Sequence, residues 1–259
     1  VNQAAPEISI IIPAHNEGGR LPATLRELFE YLDRCEATAE VVVVDDASSD
    51  ATGSLIRAAI LTEPRLRLVE NPAPHGKGAA VRAGLLAARG SRMHLFMDAD
   101  LSVPTEFVGK FYRHLQAEGA PDLLAASRRL PGSRVAVAQP KLRRAGSRVL
   151  HRVLGLTGLR NFTDTQCGFK AFRPNAARRL MPQVRLCGFL FDVELLLRAQ
   201  AEGISVEEVP VEWHHREGSS LGIFKHAPSL MVEFVYLLGL GLKLRLAGST
   251  PHLRARTPR

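Results

Sequence analysis

Ile8-Ser9-Ile10-Ile11-Ile12-Pro13-Ala14-His15-Asn16-Glu17 and, beyond the amphipathic stretch Leu21 to Leu32, Val41-Val42-Val43-Val44-Asp45-Asp46 decide the fold. Each is a short β-branched run that stops at polar residues, the pattern of a strand buried on both faces. Leu66 to Val69, Met93 to Met97 and Leu123 to Ala126 repeat it, and helical patterns such as Leu21 to Leu32 and Ala79 to Ala88 lie between them. Alternating strands and helices predict an α/β domain with a mostly parallel sheet covered on both faces. Ligands of such sheets bind beyond the carboxyl ends of the strands, so the residues just after each run are the candidates for function.

The rest of the chain fits one domain. It has 259 residues, 46% of them hydrophobic, enough for a sizeable core, with no internal repeat and no linker that would divide it. Residues 164 to 173 read as a loop or short strand re-entering the fold, Phe189 to Ala201 as a helix, Val206 to Val211 as a strand and Pro228 to Leu246 as an apolar helix. We therefore expect a catalytic unit over 1–227 and a helix with a basic tail over 228–259. No signal-peptide pattern and no uninterrupted apolar run of about 18 residues stands out, which predicts a cytoplasmic protein, soluble or peripheral on the cytoplasmic face of a membrane. Cys35, Cys167 and Cys187 are too few and too scattered for a disulfide framework or a paired-cysteine zinc site.

The formal charge of +8 is local. Nine Lys and Arg and no acid lie between Arg128 and Arg160, leaving 25 bases against 26 acids elsewhere. A basic segment asks for an anion. Nucleic acid is a poor candidate, because the segment has no interleaved aromatic residues and the whole chain is only 6% aromatic. Arg128, and Arg143 with Ser147 one helical turn on, suit a phosphate held by charge-assisted hydrogen bonds.

Four clusters follow the strands. Pro13 to Glu17 offers donors and a carboxylate. Asp45-Asp46 offers acceptors for a base or ribose, while Ser48, Ser49 and Asp50 suit the cap of a following helix. His75-Gly76-Lys77-Gly78 opens a helix with two glycines and a lysine, which suits a phosphate on a helix N-terminus without matching a P-loop. Asp98-Ala99-Asp100 follows the fourth run; in an extended segment its carboxylates point the same way, toward a divalent cation or a diphosphate.

In this order and spacing the clusters resemble family 2 glycosyltransferases of the GT-A, Rossmann-like fold. Asp164-Thr165-Gln166-Cys167-Gly168-Phe169-Lys170, Phe191-Asp192-Val193-Glu194, Glu208 to Trp213 and Gly218-Ser219-Ser220 narrow the resemblance to the dolichyl-phosphate glucosyltransferases and polyprenyl-phosphate mannose synthases. The resemblance implies a nucleotide-sugar donor of the UDP-glucose or GDP-mannose type, Mg2+ or Mn2+, and an inverting transfer of a hexose to a polyprenyl phosphate. It puts Pro13, His15, Glu17, Asp46 and Lys77 around the nucleotide, Asp98, Ala99 and Asp100 at the diphosphate and metal, and Arg216 and Ser219 over the donor. Arg128, Arg143 and Ser147 would then hold the acceptor phosphate. A hydroxyl acceptor on a small molecule is the alternative, and it needs a general base, for which Asp192 and Asp164 are the candidates. Trp213 reads as packing, His214 and His215 as wall or loop, and Cys167 and Cys187 as small hydrophobes rather than nucleophiles. The C-terminal helix suits an anionic membrane surface, packing on the domain, or a homodimer contact.

Overall fold

The computed structural model describes residues 5–135, 155, 159, 162–214 and 223–247, with side chains of the last segment from Ser229 onward. Strands β1 (Ile8–Ala14), β2 (Ala39–Asp45), β3 (Leu66–Glu70), β4 (Met93–Met97), β5 (Leu123–Ser127), β7 (Phe169–Phe172) and β8 (Val206–Pro210) form one sheet in the order β3-β2-β1-β4-β7-β5-β8. Within it β7 runs antiparallel to β4 and β5, and the remaining pairs are parallel. A second, two-stranded sheet joins β6 (Arg134–Val135) to β9 (Glu212–Trp213). Five of the expected strands are present, each starting at the expected residue or earlier and ending at it or later.

Helices α1 (Leu21–Leu32), α2 (Thr52–Ile60), α3 (Lys77–Ala87), α4 (Glu106–Gln116), α5 (Pro174–Leu180), α6 (Phe191–Ala201) and α7 (Ile223–Leu246) flank the sheet. Two apolar layers result. One packs Leu21, Leu25, Leu28, Phe107 and Phe111 against Ile10, Ile12, Val41, Val43 and Phe169; the other packs Val81, Leu85, Leu180, Leu195 and Leu196 against Ile11, Val42, Val44, Phe96 and Phe172. Alternate residues of each strand serve opposite layers, which is why the runs are apolar throughout.

Helix α7 begins at Ile223, before the expected Pro228, and it packs on the domain. Leu237 is completely buried, and Leu230, Phe234, Leu240 and Leu244 lie against the second layer. Its other side is apolar too: Met231, Val232, Val235, Leu242 and Leu246 are each 59–80% exposed. No helix among the described residues is long and apolar enough to cross a membrane.

Candidate active site

Asn16 fastens the ends of the first two strands together. Its Oδ1 accepts from the Ser49 and Asp50 amides (2.8 and 3.3 Å), while its own amide donates to Ser48 Oγ (2.9 Å). Asn16, Ala47 and Leu101 have φ of +56°, +53° and +50° and lie just beyond β1, β2 and β4. Left-handed backbone is common for Asn but costly for Ala and Leu, and such strain collects where structure serves a ligand. Asp50 accepts from Thr52 and Gly18 and so ties α2 to the loop after β1; the cap position of α2 is held by Ala51 with no side-chain cap bond, so the capping expected of Ser48, Ser49 or Asp50 is not made.

Two expectations about these loops need correction. Asp98 to Asp100 is not extended: β4 stops at Met97 and the chain turns, with Leu101 left-handed. The side chains take different partners, Asp98 pairing with Lys77 (2.6 Å) and Asp100 accepting from the Ser102 amide (2.9 Å), while buried Ala99 receives the Thr24 hydroxyl on its carbonyl (2.6 Å). Nor is the N-terminus of α3 open to a phosphate. The amides of Gly78 and Ala79 donate to the Cys187 carbonyl, those of His75 and Gly76 to Asp46. A Cβ on Gly76 or Gly78 would come within 2.6 Å of the Cys187 or Leu186 carbonyl oxygen, so both glycines serve close approach of that loop. Sequence shows a glycine pair but not what approaches it.

Asp46 is only 4% exposed, and its oxygens accept from Asn71, His75 and Gly76. That nearly fills the four lone-pair sites of a carboxylate, so Asp46 shapes the 71–76 loop. Its carbonyl receives His15 Nδ1–H (2.8 Å), which aims the imidazole across the ends of β1 and β2.

Carboxylates crowd the opening. Half-buried Glu17 pairs with Arg20 (2.5 Å), yet its pKa is raised, by burial first and then by the negative charges of Asp100, Asp98 and Asp50 against the pull of Arg20. Burial opposes charge on Lys77, but Asp98 and Asp192 outweigh it and its pKa rises. Among the described residues no three or more His, Cys, Asp and Glu side chains form a metal cage. The donor set instead fits a hard cation taken up by one or two carboxylates together with substrate phosphate oxygens, since added positive charge relieves the repulsion at Glu17. Asp98 and Asp100 are the residues that would hold it.

On the other side of β4 lies the Asp164 loop. Arg128 grips Asp164 through two parallel bonds, Nε to Oδ2 (2.6 Å) and Nη2 to Oδ1 (2.8 Å), and its guanidinium lies over Trp213, 5.5 Å from the ring centre. Burial pushes the Asp164 carboxyl up, but Arg128 overrides it and holds the pKa at about 2. A carboxylate so acidic is a poor proton acceptor at neutral pH, so Asp164 serves as the partner of Arg128. Glu208 secures the loop by accepting from the amides of Thr163 and Asp164 (2.8 and 2.9 Å). Asp192 is in the first turn of α6, where Leu190 occupies the cap position, so it is not an N-cap. Its carboxylate, 2% exposed, bonds to Lys170 Nζ at 2.6 Å, and burial leads the rise in its pKa.

Burial likewise pushes the Cys167 thiol up to about 12, far from a nucleophile's range. Trp213 lines a small cleft with Met97, Asp98, Ser102, Val103, Gly168 and Phe169, so the cleft lies beside the Asp98 turn. Arg143, Ser147, Arg216 and Ser219 lie outside the described residues. The sequence reading missed Lys170, Glu208 and Asn16; the one signal for them was membership of a long polar string after or before a strand.

The acidic strand ends, the small adjoining cleft and the Arg128–Asp164 pair are gathered at one edge of a mostly parallel sheet, the edge at which such sheets bind ligands. Glycosyl transferase family 2 matches residues 9–181, and the chain belongs to that family. It is 35% identical over 240 residues to a dolichyl-phosphate beta-glucosyltransferase of Trichomonas vaginalis, covering 88% of this chain and 71% of the relative. The human dolichyl-phosphate beta-glucosyltransferase is 32% identical over 229 residues, 83% of this chain and 69% of that one. In fold it is similar to glucosyl-3-phosphoglycerate synthase of Mycobacterium tuberculosis solved with UDP (TM-score 0.66, 19% identity, 91% of this chain and 80% of that chain). The same enzyme solved with Mn2+, UDP-glucose and phosphoglyceric acid gives 0.66 at 17% identity, again over 91% and 80%. The protein is a glycosyltransferase with a GT-A fold.

Proposed function

We propose that the protein transfers glucose, with inversion, from a nucleotide sugar of the UDP-glucose type to a polyprenyl phosphate of the dolichyl kind. The observation that carries this reading is identity of 32–35% over more than four fifths of the chain with dolichyl-phosphate beta-glucosyltransferases of distant organisms. Those relatives favour glucose over mannose. The site supports a phosphate acceptor: a phosphate monoester, with a second pKa near 6, is already largely ionised at neutral pH and needs positioning rather than a base. Both base candidates are committed elsewhere, Asp164 to Arg128 and Asp192 to Lys170, which disfavours a hydroxyl acceptor.

In this mechanism His15, Glu17 and Lys77 line the donor, with Pro13 and Asp46 shaping the loops around it. Asp98 and Asp100 hold Mg2+ or Mn2+, which when bound supplies Lewis-acid stabilisation of the departing diphosphate. Asp164 fixes the guanidinium of Arg128 so that its Nη1 edge, which Asp164 does not engage, meets the acceptor phosphate; Arg143 and Ser147 hold the same group, and Arg216 and Ser219 cover the donor. Charge-assisted contacts of this kind align the phosphate oxygen with the anomeric carbon.

The outward apolar stripe of α7, with Lys243 and Arg245 at its end, supports a peripheral position on the cytoplasmic face of the membrane that carries the acceptor. The unit over 1–227 then does the chemistry, and 228–259 meets the lipid. Because Leu237 is part of the core, the membrane contact is tested by M231D/V235D/L242D rather than by truncation; loss of liposome co-sedimentation is expected, and unchanged binding rejects it. The activity is tested by a panel of UDP-glucose and GDP-mannose with Mg2+ or Mn2+ and either polyprenyl phosphate or water. Glucosyl transfer to the lipid phosphate from UDP-glucose alone is expected; nucleoside diphosphate release from neither donor overturns the proposal.

A further inference from the structure

Lys170 sits in the middle of the sheet, on β7 between β4 and β5, and is completely buried. An ammonium there is costly unless every donor is used. All three are: Nζ donates to the carbonyls of Thr165 (3.1 Å) and Cys167 (2.9 Å) and to Asp192 Oδ1 (2.6 Å).

The two carbonyls belong to the loop 164–168, each end of which supports a different part of the site. At its start Asp164 grips Arg128. At its end the Gly168 carbonyl receives the Asp98 amide (3.1 Å), and a Cβ on Gly168 would collide with the Asp98 carboxylate. The third bond, to Asp192, joins the loop to the first turn of α6. One buried cation thus ties the strut of Arg128 to the seat of Asp98.

We propose that Lys170 is a positioning residue for both substrates at once, holding Asp98 for the donor and Arg128 for the acceptor through the 164–168 loop, and that Asp192 is its counter-charge rather than a proton acceptor. This rests on the roles assigned above to Asp98 and Arg128. A residue acting only on stability would lower Tm and leave affinities alone, whereas one acting on proton transfer would lower kcat alone. Lys170 should do neither.

The test compares K170M with wild type in three measurements: UDP binding in the presence of Mn2+ by calorimetry, the KM for a short-chain polyprenyl phosphate in detergent, and circular dichroism for folding. K170M is expected to weaken UDP–Mn2+ and raise the acceptor KM by at least fivefold each. Since K170M strands the Asp192 carboxylate, K170M/D192L removes the whole pair; exchanging a buried ion pair for apolar side chains is often tolerated, and both defects should persist in it. Folded K170M or K170M/D192L with either affinity within twofold of wild type overturns the inference. So does a D192N variant that loses kcat with both affinities unchanged. Failure of the wild type itself to bind UDP–Mn2+ would instead refute the assigned function.

Discussion

At the amino ends of the central strands, charge is fully answered. Glu40 on β2, 5% exposed, accepts from Ser9 Oγ (2.5 Å), the Arg89 amide (2.7 Å) and Arg67 Nη1 (2.7 Å), and Ser9 accepts from the Gly90 amide (2.7 Å). Burial raises the Glu40 carboxyl, but these partners outweigh it and the pKa falls. At the carboxyl ends of the same strands Glu17 is driven the other way by burial and by neighbouring carboxylates, and three non-glycine residues are left-handed. One end is built to hold the sheet together. The other crowds like charges in strained loops, so that burial and neighbouring carboxylates still raise the Glu17 pKa despite its Arg20 partner, the condition of a surface suited to a cationic or polyvalent ligand.

This contrast separates activity from stability, and the sharpest way to break it is D98N. We expect transfer to fall by a factor of about 10² to 10³, the scale of losing an electrostatic contact in the transition state, with a smaller loss of Tm than in R128M, since Lys77 loses its 2.6 Å partner but keeps Asp192 nearby; steady-state kinetics and thermal unfolding together check it. A large drop in Tm would mean that the two ends are not divided as described. R128M should do both kinds of damage, since it leaves the Asp164 carboxylate buried without its counter-charge, with only the backbone amides of residue 128 and Gln166 as donors. Breaking a buried pair costs about 3–5 kcal/mol, readable in urea unfolding, and the acceptor KM should rise as well.

E40Q should lower stability by about 1–3 kcal/mol and leave kcat/KM within twofold, the reverse of D98N. Asp164 supplies a pH test. Its folded pKa of about 2 lies below the unfolded value of a carboxylate, so its stabilisation is complete above about pH 4 and is lost as pH falls through about 2. Unfolding free energies measured across that window should slope in the wild type and lie flatter in D164N. The smallest effect is at His94. Its ring is buried, Nε2–H donates to the Gly90 carbonyl (2.9 Å), Nδ1 has no partner among the described residues, and burial lowers its pKa. The unfolded chain protonates first, so stability should begin to decline below about pH 6.5, and H94Q should remove that part of the slope.

Much of this was legible in sequence, for a physical reason. Strands buried on both faces must be apolar along their length, so Ile8 to Ile12 and Val41 to Val44 announce the sheet, and polar residues at their ends announce where the ligand edge lies. Asp98 and Asp100 were singled out in this way, Arg128 from the basic segment, and Asp164 and Asp192 from the family resemblance. What they touch was not legible. Asp98 and Asp100 take different partners in a turn, because the chain leaves the strand at Met97, and the glycines at the start of α3 answer to a loop more than a hundred residues away. Residues 164 to 173 read only as a loop or short strand re-entering the fold; the insertion of β7 between β4 and β5 is what makes Lys170 interior. The sequence reading did not name α2, α4 or α5 over residues 52–60, 106–116 and 174–180.

The reversed direction of β7 has a consequence for how such enzymes diversify. A parallel strand brings to the ligand edge the chain that follows it, but an antiparallel one brings the chain that precedes it. Val135, paired with Trp213, and Phe162, two residues before Asp164, are therefore both near that edge. The loops after β1, β2 and β4, where we propose the donor sits, lie elsewhere in the chain. On the proposed roles, a change confined to the chain ahead of β7 would alter the acceptor and leave the loops that meet the donor untouched.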